Sequence, residues 1–182
     1  MNGRHDISGQ AHSLTVLTAI RDGHESALAR YLNALQGGTA SPLATVARTH
    51  FARWVVVGDV VYEGKGTRDH LKLGQLLFTS NFDGKDLDSY LESLRTGLGS
   101  AADEIWGHCC GYPGSDDAAA FAAYMHKHHV ESSLFFGAYG TRTVEDVISS
   151  LALRRNLIAF ALNSQGMAPA ALQAAFQRTF SQ

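Results

Sequence analysis

His50-Phe51-Ala52-Arg53-Trp54-Val55-Val56-Val57 is the stretch that decides how this chain folds. A run of valines with a tryptophan and a phenylalanine suits a pleated, half-buried surface, and Gly58-Asp59 closes it. Alternation along a strand puts His50, Ala52, Trp54 and Val56 on one side and Phe51, Arg53, Val55 and Val57 on the other. Each side thus carries one polar group, His50 or Arg53, among apolar neighbours. A buried guanidinium is rarely left unpaired. Arg53 is therefore expected to meet an anionic ligand or a carboxylate, Asp83 or Asp59.

Outward from this strand, Ser13 to Ile20 and Gln75 to Phe82 show the same β-branched and apolar character, each ending in a turn sequence. Between the first two strands, Leu28, Tyr31, Leu32 and Leu35 recur at helical spacing. Beyond the third, Leu87, Tyr90, Leu91 and Leu94 do the same behind Asp86, an acid suited to a helix start. Val60 to Gly74 reads as an exposed loop, and Ala101 to Trp106 as a helical turn. Asp116-Asp117 can cap a helix from Ala118 to His128. Ser132 to Tyr139 is expected to be a fourth strand. Thr143 and Asp146 have capping-box spacing before a helix reaching about Asn163, and Leu172, Phe176 and Phe180 mark a last one.

The strand-helix-strand-strand-helix-strand order is that of ferredoxin-like folds. It predicts an α+β chain: a four-stranded antiparallel sheet with inserted and C-terminal helices. Residues 1–12 are expected as a flexible polar arm, 13–163 as the ferredoxin-like domain, and 164–182 as a C-terminal amphipathic helix. A sheet covered by helices on one face needs something on the other. The apolar content of the strands, together with Phe135 and Phe136, predicts a homodimer formed through that open face.

Composition narrows the partners. The 182 residues carry a formal net charge of -2, with 45% hydrophobic and 18% charged residues. That balance gives no electrostatic reason to expect nucleic acid or an anionic membrane. No apolar run is long enough to suggest a membrane span or a leader. Cys109 and Cys110 are sequence neighbours, a spacing that strains a disulfide. Free thiols imply a reducing compartment, hence an expected cytoplasmic location.

Three clusters could carry chemistry. Ile105-Trp106-Gly107-His108-Cys109-Cys110-Gly111-Tyr112-Pro113-Gly114 packs an indole, an imidazole, two thiols and a phenol between glycines, where a plain connector would use small polar residues. The alternative is a plug in which Trp106 and Tyr112 close the end of a core. Asn81-Phe82-Asp83-Gly84 places an amide and a carboxylate at a strand end, although such residues also form turns in any protein. His126-Lys127-His128-His129 would put His126 and His129 on one helix face. Zinc would need further ligands there, with His108 and Cys109 available; a haem iron needs a single imidazole; a solvated helix end needs none. No phosphate-cradling glycine motif and no G-x-S-x-G elbow occurs.

The element order and aromatic-rich strands over about Ser13 to Asn163 resemble the dimeric α+β barrel superfamily. That group includes cofactor-free monooxygenases, haem-degrading enzymes, chlorite-dismutase-like proteins and dye-decolorising peroxidases. Asn81-Phe82-Asp83-Gly84 resembles the peroxidases' glycine-x-x-aspartate-glycine motif, with Asp83 at the acid position and asparagine in place of the first glycine. The helix ending in Tyr124-Met125-His126-Lys127-His128-His129 is similar to the chlorite-dismutase-type helix whose late histidine holds iron, with three histidines as candidates. The resemblance implies a haem-dependent oxidoreductase acting on a small organic substrate. His129 or His108 would be the iron ligand, Trp106 and Tyr112 would line the cofactor, and Arg53, Asp83, His50 and Asn81 would serve the chemistry. The competing readings are a cofactor-free enzyme using His50, Arg53, Asn81 and Trp54, and a non-enzymatic ligand-binding protein.

Overall fold

Two long antiparallel ladders share one central strand. In the computed structural model, which describes residues 3–61, 64, 66–67, 70–139 and 141–180, the strands are β1 (Ile7–Ser8), β2 (Ala11–Ala19), β3 (Thr49–Val57) and β4 (Gln75–Asp83). They form one sheet in the order β1-β2-β4-β3, with every pairing antiparallel. Since β2 and β3 both oppose β4, they run parallel to each other with β4 inserted between them. The helices are α1 (Glu25–Ala34), α2 (Leu87–Leu98), α3 (Ser100–Trp106), α4 (Ala118–His128), α5 (Val144–Asn163) and α6 (Pro169–Phe180). The fold is α+β. The loop expected over Val60 to Gly74 falls partly outside the described residues.

Side chains alternate across the sheet as the strand period requires. Leu14, Val16 and Thr18 of β2 and Leu76, Phe78, Ser80 and Phe82 of β4 are buried under helices. Against them pack Leu28 of α1, Leu91, Leu94 and Leu98 of α2, Ile105 and Trp106 of α3, and Phe121 and Met125 of α4. Local signals start two of these helices. Asp86 accepts the Ser89 amide at 2.8 Å, and Asp117 accepts the Ala119 and Ala120 amides at 2.9 and 3.0 Å. Each cap satisfies amides that a helix start leaves without intrahelical partners.

The fourth strand expected over Ser132 to Tyr139 does not form. Its place beside β2 is already taken. β1 pairs with Ala11 and His12, His129 bridges Val16, and Cys109 bridges Ile20. Val130 and Cys110 add N–H bonds of 2.8 Å to the carbonyls of Thr15 and Ala19. Three segments remote from one another in sequence thus close an edge that would otherwise expose a row of unpaired backbone groups. Leu134, Phe136 and Tyr139 remain largely exposed instead.

Where a patternless arm was expected over 1–12, Gly3–Asp6 form a 3-10 turn, Ile7–Ser8 join the sheet, and β2 begins at Ala11. Asp6 is buried. It accepts the Ser13 hydroxyl at 2.8 Å and the Ser132 amide at 2.9 Å, and lies 3.4 Å from His129 Nε2.

Residues 1–143 and 144–182 form two compact units, the second beginning with α5. The second unit is a hairpin of α5 and α6, held by Phe160 against Phe176 and Phe180 with ring centroids 5.7 and 5.5 Å apart. Among the described residues, no helix is long and apolar enough to cross a membrane.

Candidate functional site

The eight residues singled out from the sequence separate into two groups. Arg53 and Asn81 come from the middle and far part of β3 and β4 on one face, and the largely buried His50–Asp83 pair lies at the end of those strands. Trp106 lies under the covered face against Trp54 of β3 and Phe78 of β4, Tyr112 packs on Phe121 and Tyr124, and His108 and His129 lie along the outer edge of β2.

The first group is set by register. Arg53 stands opposite Thr79, Phe51 opposite Asn81, and Val55 opposite Leu77. On β2, Thr15 and Leu17 continue the same rungs. Side chains on this face are open to solvent: Phe51 is 77% exposed, and Val55 and Leu17 about 40%. Trp54 pairs with Phe78 on the opposite face, its ring 5.3 Å from Phe78. It cannot join Arg53 in a common site.

Arg53 is exposed rather than buried. Its Nε donates to Thr79 Oγ1 at 3.1 Å, and among the described residues this is its one hydrogen bond. The carboxylate partner expected for it is not there. Asp83 sits four residues beyond Thr79 on β4, about 13 Å away at strand rise. It faces His50 instead, with His50 Nε2 3.3 Å from Asp83 Oδ1, within ion-pair range though off the hydrogen-bonding direction. Local backbone explains this pairing. The register shifts by one residue between Thr49 and Phe51, leaving His50 as the bulged residue, a device that re-aims a side chain. Just before it, Arg48 adopts a left-handed conformation (φ 65°) and its carbonyl accepts the Asp83 amide at 3.0 Å.

The second group does not assemble into one pocket. Trp106 is fully buried, edge-on to Phe78 and Phe121 at 5.4 and 6.2 Å. The Tyr112 hydroxyl donates to Asp103 Oδ1 at 2.9 Å; burial and that carboxylate push its phenol far above the ordinary range. Asp103 also accepts the Ser115 amide and hydroxyl, pinning the loop. The loop is a plug at the end of the core.

His108 Nδ1 lies 3.0 Å from His24 Nδ1. Burial, with His24 and Arg21 nearby, lowers its pKa. This imidazole pair, 84 residues apart in sequence, has no spacing signal by which the sequence could announce it. The Cys109 thiol is buried and receives the Thr18 hydroxyl at 3.3 Å; burial raises its pKa, which disfavours the reactive thiolate.

The histidine run at the end of α4 disperses. His126 pairs with Asp88 of α2 at 2.6 Å, and His128 turns back on the Tyr124 carbonyl. His129 leaves the helix in extended conformation to face Asp6. Among the described residues, no group of three or more His, Cys, Asp or Glu could hold a metal ion. The bridges of Cys109 and His129 fall four residues apart on β2, about 13 Å at strand rise, so His108 and His129 do not converge. Each residue named for a haem site holds another contact here. The Nε2 of His129 is buried against a carboxylate, the Nδ1 of His108 is engaged by His24, and the two aromatics are committed to the core and to Asp103.

Both thiols are free. Titration with an aromatic disulfide reagent is expected to count one fast thiol, half-exposed Cys110, in the native protein. A second, Cys109, should follow only on denaturation. Two missing thiols in unreduced, denatured protein would overturn this.

A cleft of about 310 Å³ in the second unit is lined by Asn156, Phe160, Asn163, Ser164, Met167 and Thr179, among others, none of them an acid, a base or a thiol. The open face around Arg53 is the better candidate. Comparison of the chain with protein-family models, with curated proteins and with solved structures found no match.

Proposed function

We propose that the open face of the sheet binds a small organic anion with an apolar body, with no metal or haem in the site. The observation that supports this is Arg53: an exposed guanidinium on an apolar strand surface, bonded only through Nε to Thr79 among the described residues. Its two terminal nitrogens form a planar fork suited to a carboxylate or a comparable oxyanion. Phe51, Val55, Leu17 and Leu77 supply apolar contact on either side of it.

Asn81 lies one rung from Arg53, and the His50–Asp83 pair one further. Rungs on one face are about 7 Å apart. A ligand of two rings or a short chain would therefore reach from the guanidinium to the Asn81 amide. A longer one would reach the strand end where His50 faces Asp83. The arrangement serves binding and sequestration of such an anion.

Titration with 2-naphthoate, followed by amide NMR, tests the reading. Shifts are expected on β3 and β4 around Arg53 and Thr79. Arg53→Ala should weaken binding by about tenfold or more, through loss of charge-assisted hydrogen bonds, while circular dichroism stays unchanged. Arg53→Lys should recover part of the affinity, since it restores charge but not the fork. Equal affinity in wild type and Arg53→Ala would sink the proposal.

A further inference from the structure

The open face of the sheet is walled along part of one side. Ser13 of β2 stands opposite Asn81, as Phe51 of β3 does, so one rung runs Phe51, Asn81, Ser13. Residues directly opposite one another share a face. Phe51 is exposed at one end of this rung, whereas Ser13 is buried at the other. Against Ser13 stands the chain that leaves α4. Ser132 Oγ lies 3.1 Å from Ser13 Oγ. Further on, the Gly137 amide donates to Ser8 Oγ at 3.1 Å beside Ala11, the neighbouring residue of β2 on this face.

The directions of the hydrogen bonds give this wall one polarity. An ionised carboxyl only accepts, and its donors hold Asp6 below the ordinary carboxylate pKa. Ser13 gives its one hydroxyl proton to Asp6 Oδ1 at 2.8 Å. Between the two serines the donor must then be Ser132, whose amide also donates to Asp6 Oδ1 at 2.9 Å. The Ser132 hydroxyl proton therefore turns inward as well, to Ser13 or to Asp6 itself. Its oxygen keeps its lone pairs, and no donor from the described residues reaches them. Half-buried Ser132 thus offers an acceptor and no donor. Arg53, across the face, offers donors and no acceptor. Asn81 lies between them, its side-chain amide without a hydrogen bond among the described residues and able to play either part.

We propose that this face selects an anion whose far end carries a hydrogen-bond donor, a hydroxyl or amino group, with the oxyanion on Arg53 and the donor on Ser132 Oγ. The inference rests on the anion site proposed above and names its substrate class. Arg53 and Ser13 lie one rung and two strands apart, about 12 Å at the backbone. The bond to Thr79 turns the guanidinium inward over β4. A two-ring carboxylate with its donor on the far ring spans this diagonal. A far-end group that only accepts would set lone pairs against lone pairs, and the wall rejects it.

Affinities of the full chain for 2-naphthoate, 6-hydroxy-2-naphthoate and 6-methoxy-2-naphthoate, measured by amide NMR titration, are the test. The hydroxy compound is expected to bind about tenfold tighter than 2-naphthoate, and the methoxy compound no tighter. In Ser132→Ala the hydroxy and unsubstituted compounds should bind alike. The ratio of two ligands on one protein is insensitive to general loss of stability, and the three ligands on wild type decide the matter even if Ser132→Ala fails to fold. Naphthoates that depend on Arg53 but show no gain from the hydroxyl would overturn this inference and leave the anion site standing. So would a methoxy compound that gains as much as the hydroxy one, or a gain that survives Ser132→Ala. No binding by any of the three would overturn both readings.

Discussion

Trp106→Ala is expected to remove about 3–5 kcal/mol of stability, the usual cost of emptying a buried tryptophan site. Against a total of about 5–15 kcal/mol for a domain, that change removes a large share of the stability. The expectation follows from where the indole sits. It is fully buried, with Trp54, Phe78 and Phe121 at ring distances of 6.2, 5.4 and 6.2 Å. Its Nε1 is buried without a partner among the described residues, so Trp106→Phe removes an unsatisfied donor along with some volume and should cost much less. Urea midpoints at constant m-value read both changes. A loss under about 1 kcal/mol for Trp106→Ala would mean that the indole does not hold the core, and would return the loop around it to the list of ligand-binding elements.

The second large effect is expected on acidification, centred on Asp6. Burial by itself would raise the pKa of this carboxyl. The Ser132 hydroxyl and amide, the Ser13 hydroxyl and the nearby His129 outweigh it, and the net shift is downward. A carboxylate whose folded pKa is depressed contributes stability that is present above its ordinary value of 3.8 and is lost as pH falls through the lower, folded value. His108 acts earlier in the same direction. Burial lowers its pKa below 6.5, so the unfolded chain takes up that proton first and stability starts to fall below about pH 6.5. Urea midpoints measured across pH should thus show two declines. His108→Gln should flatten the upper one and Asp6→Asn the lower. Asp6→Ala at neutral pH should cost about 1–3 kcal/mol, because it strands the Ser13 hydroxyl and Ser132 amide. An Asp6→Asn protein whose low-pH decline matches wild type would remove Asp6 from the account.

The elements with regular period are legible in the sequence: the three long strands, the helices of the first unit, and the aspartates that cap α2 and α4. The fourth strand was misread because Leu134, Phe135, Phe136 and Tyr139 have strand character, but propensity does not report whether a sheet edge is available. The edge went to β1, Cys109 and His129, each too short or too polar to stand out. Arg53 was placed on the correct strand and given the wrong surroundings, since alternation assigns a side without saying whether that side is covered. Trp106 and Tyr112 were conspicuous by composition and are structural. Thr79, which orients the guanidinium, and the pairing of His24 with His108 were missed, because a single threonine in a strand and two distant histidines leave no local pattern.

The closure of β2 by three separate segments also sets an order of assembly. β1, β2, β3 and β4 are all available once residue 83 has been made, so the sheet can form early in synthesis. The backbone from Thr15 of β2 to Ile20 just beyond it then waits for Cys109-Cys110 and, later still, for His129-Val130. Until they arrive, a nascent chain carries an open strand edge able to recruit the edge of a neighbour. The final seal comes only when α4 has packed and delivered His129. A truncation that stops within α4 would keep nearly all of the sheet's residues and still produce an aggregating chain.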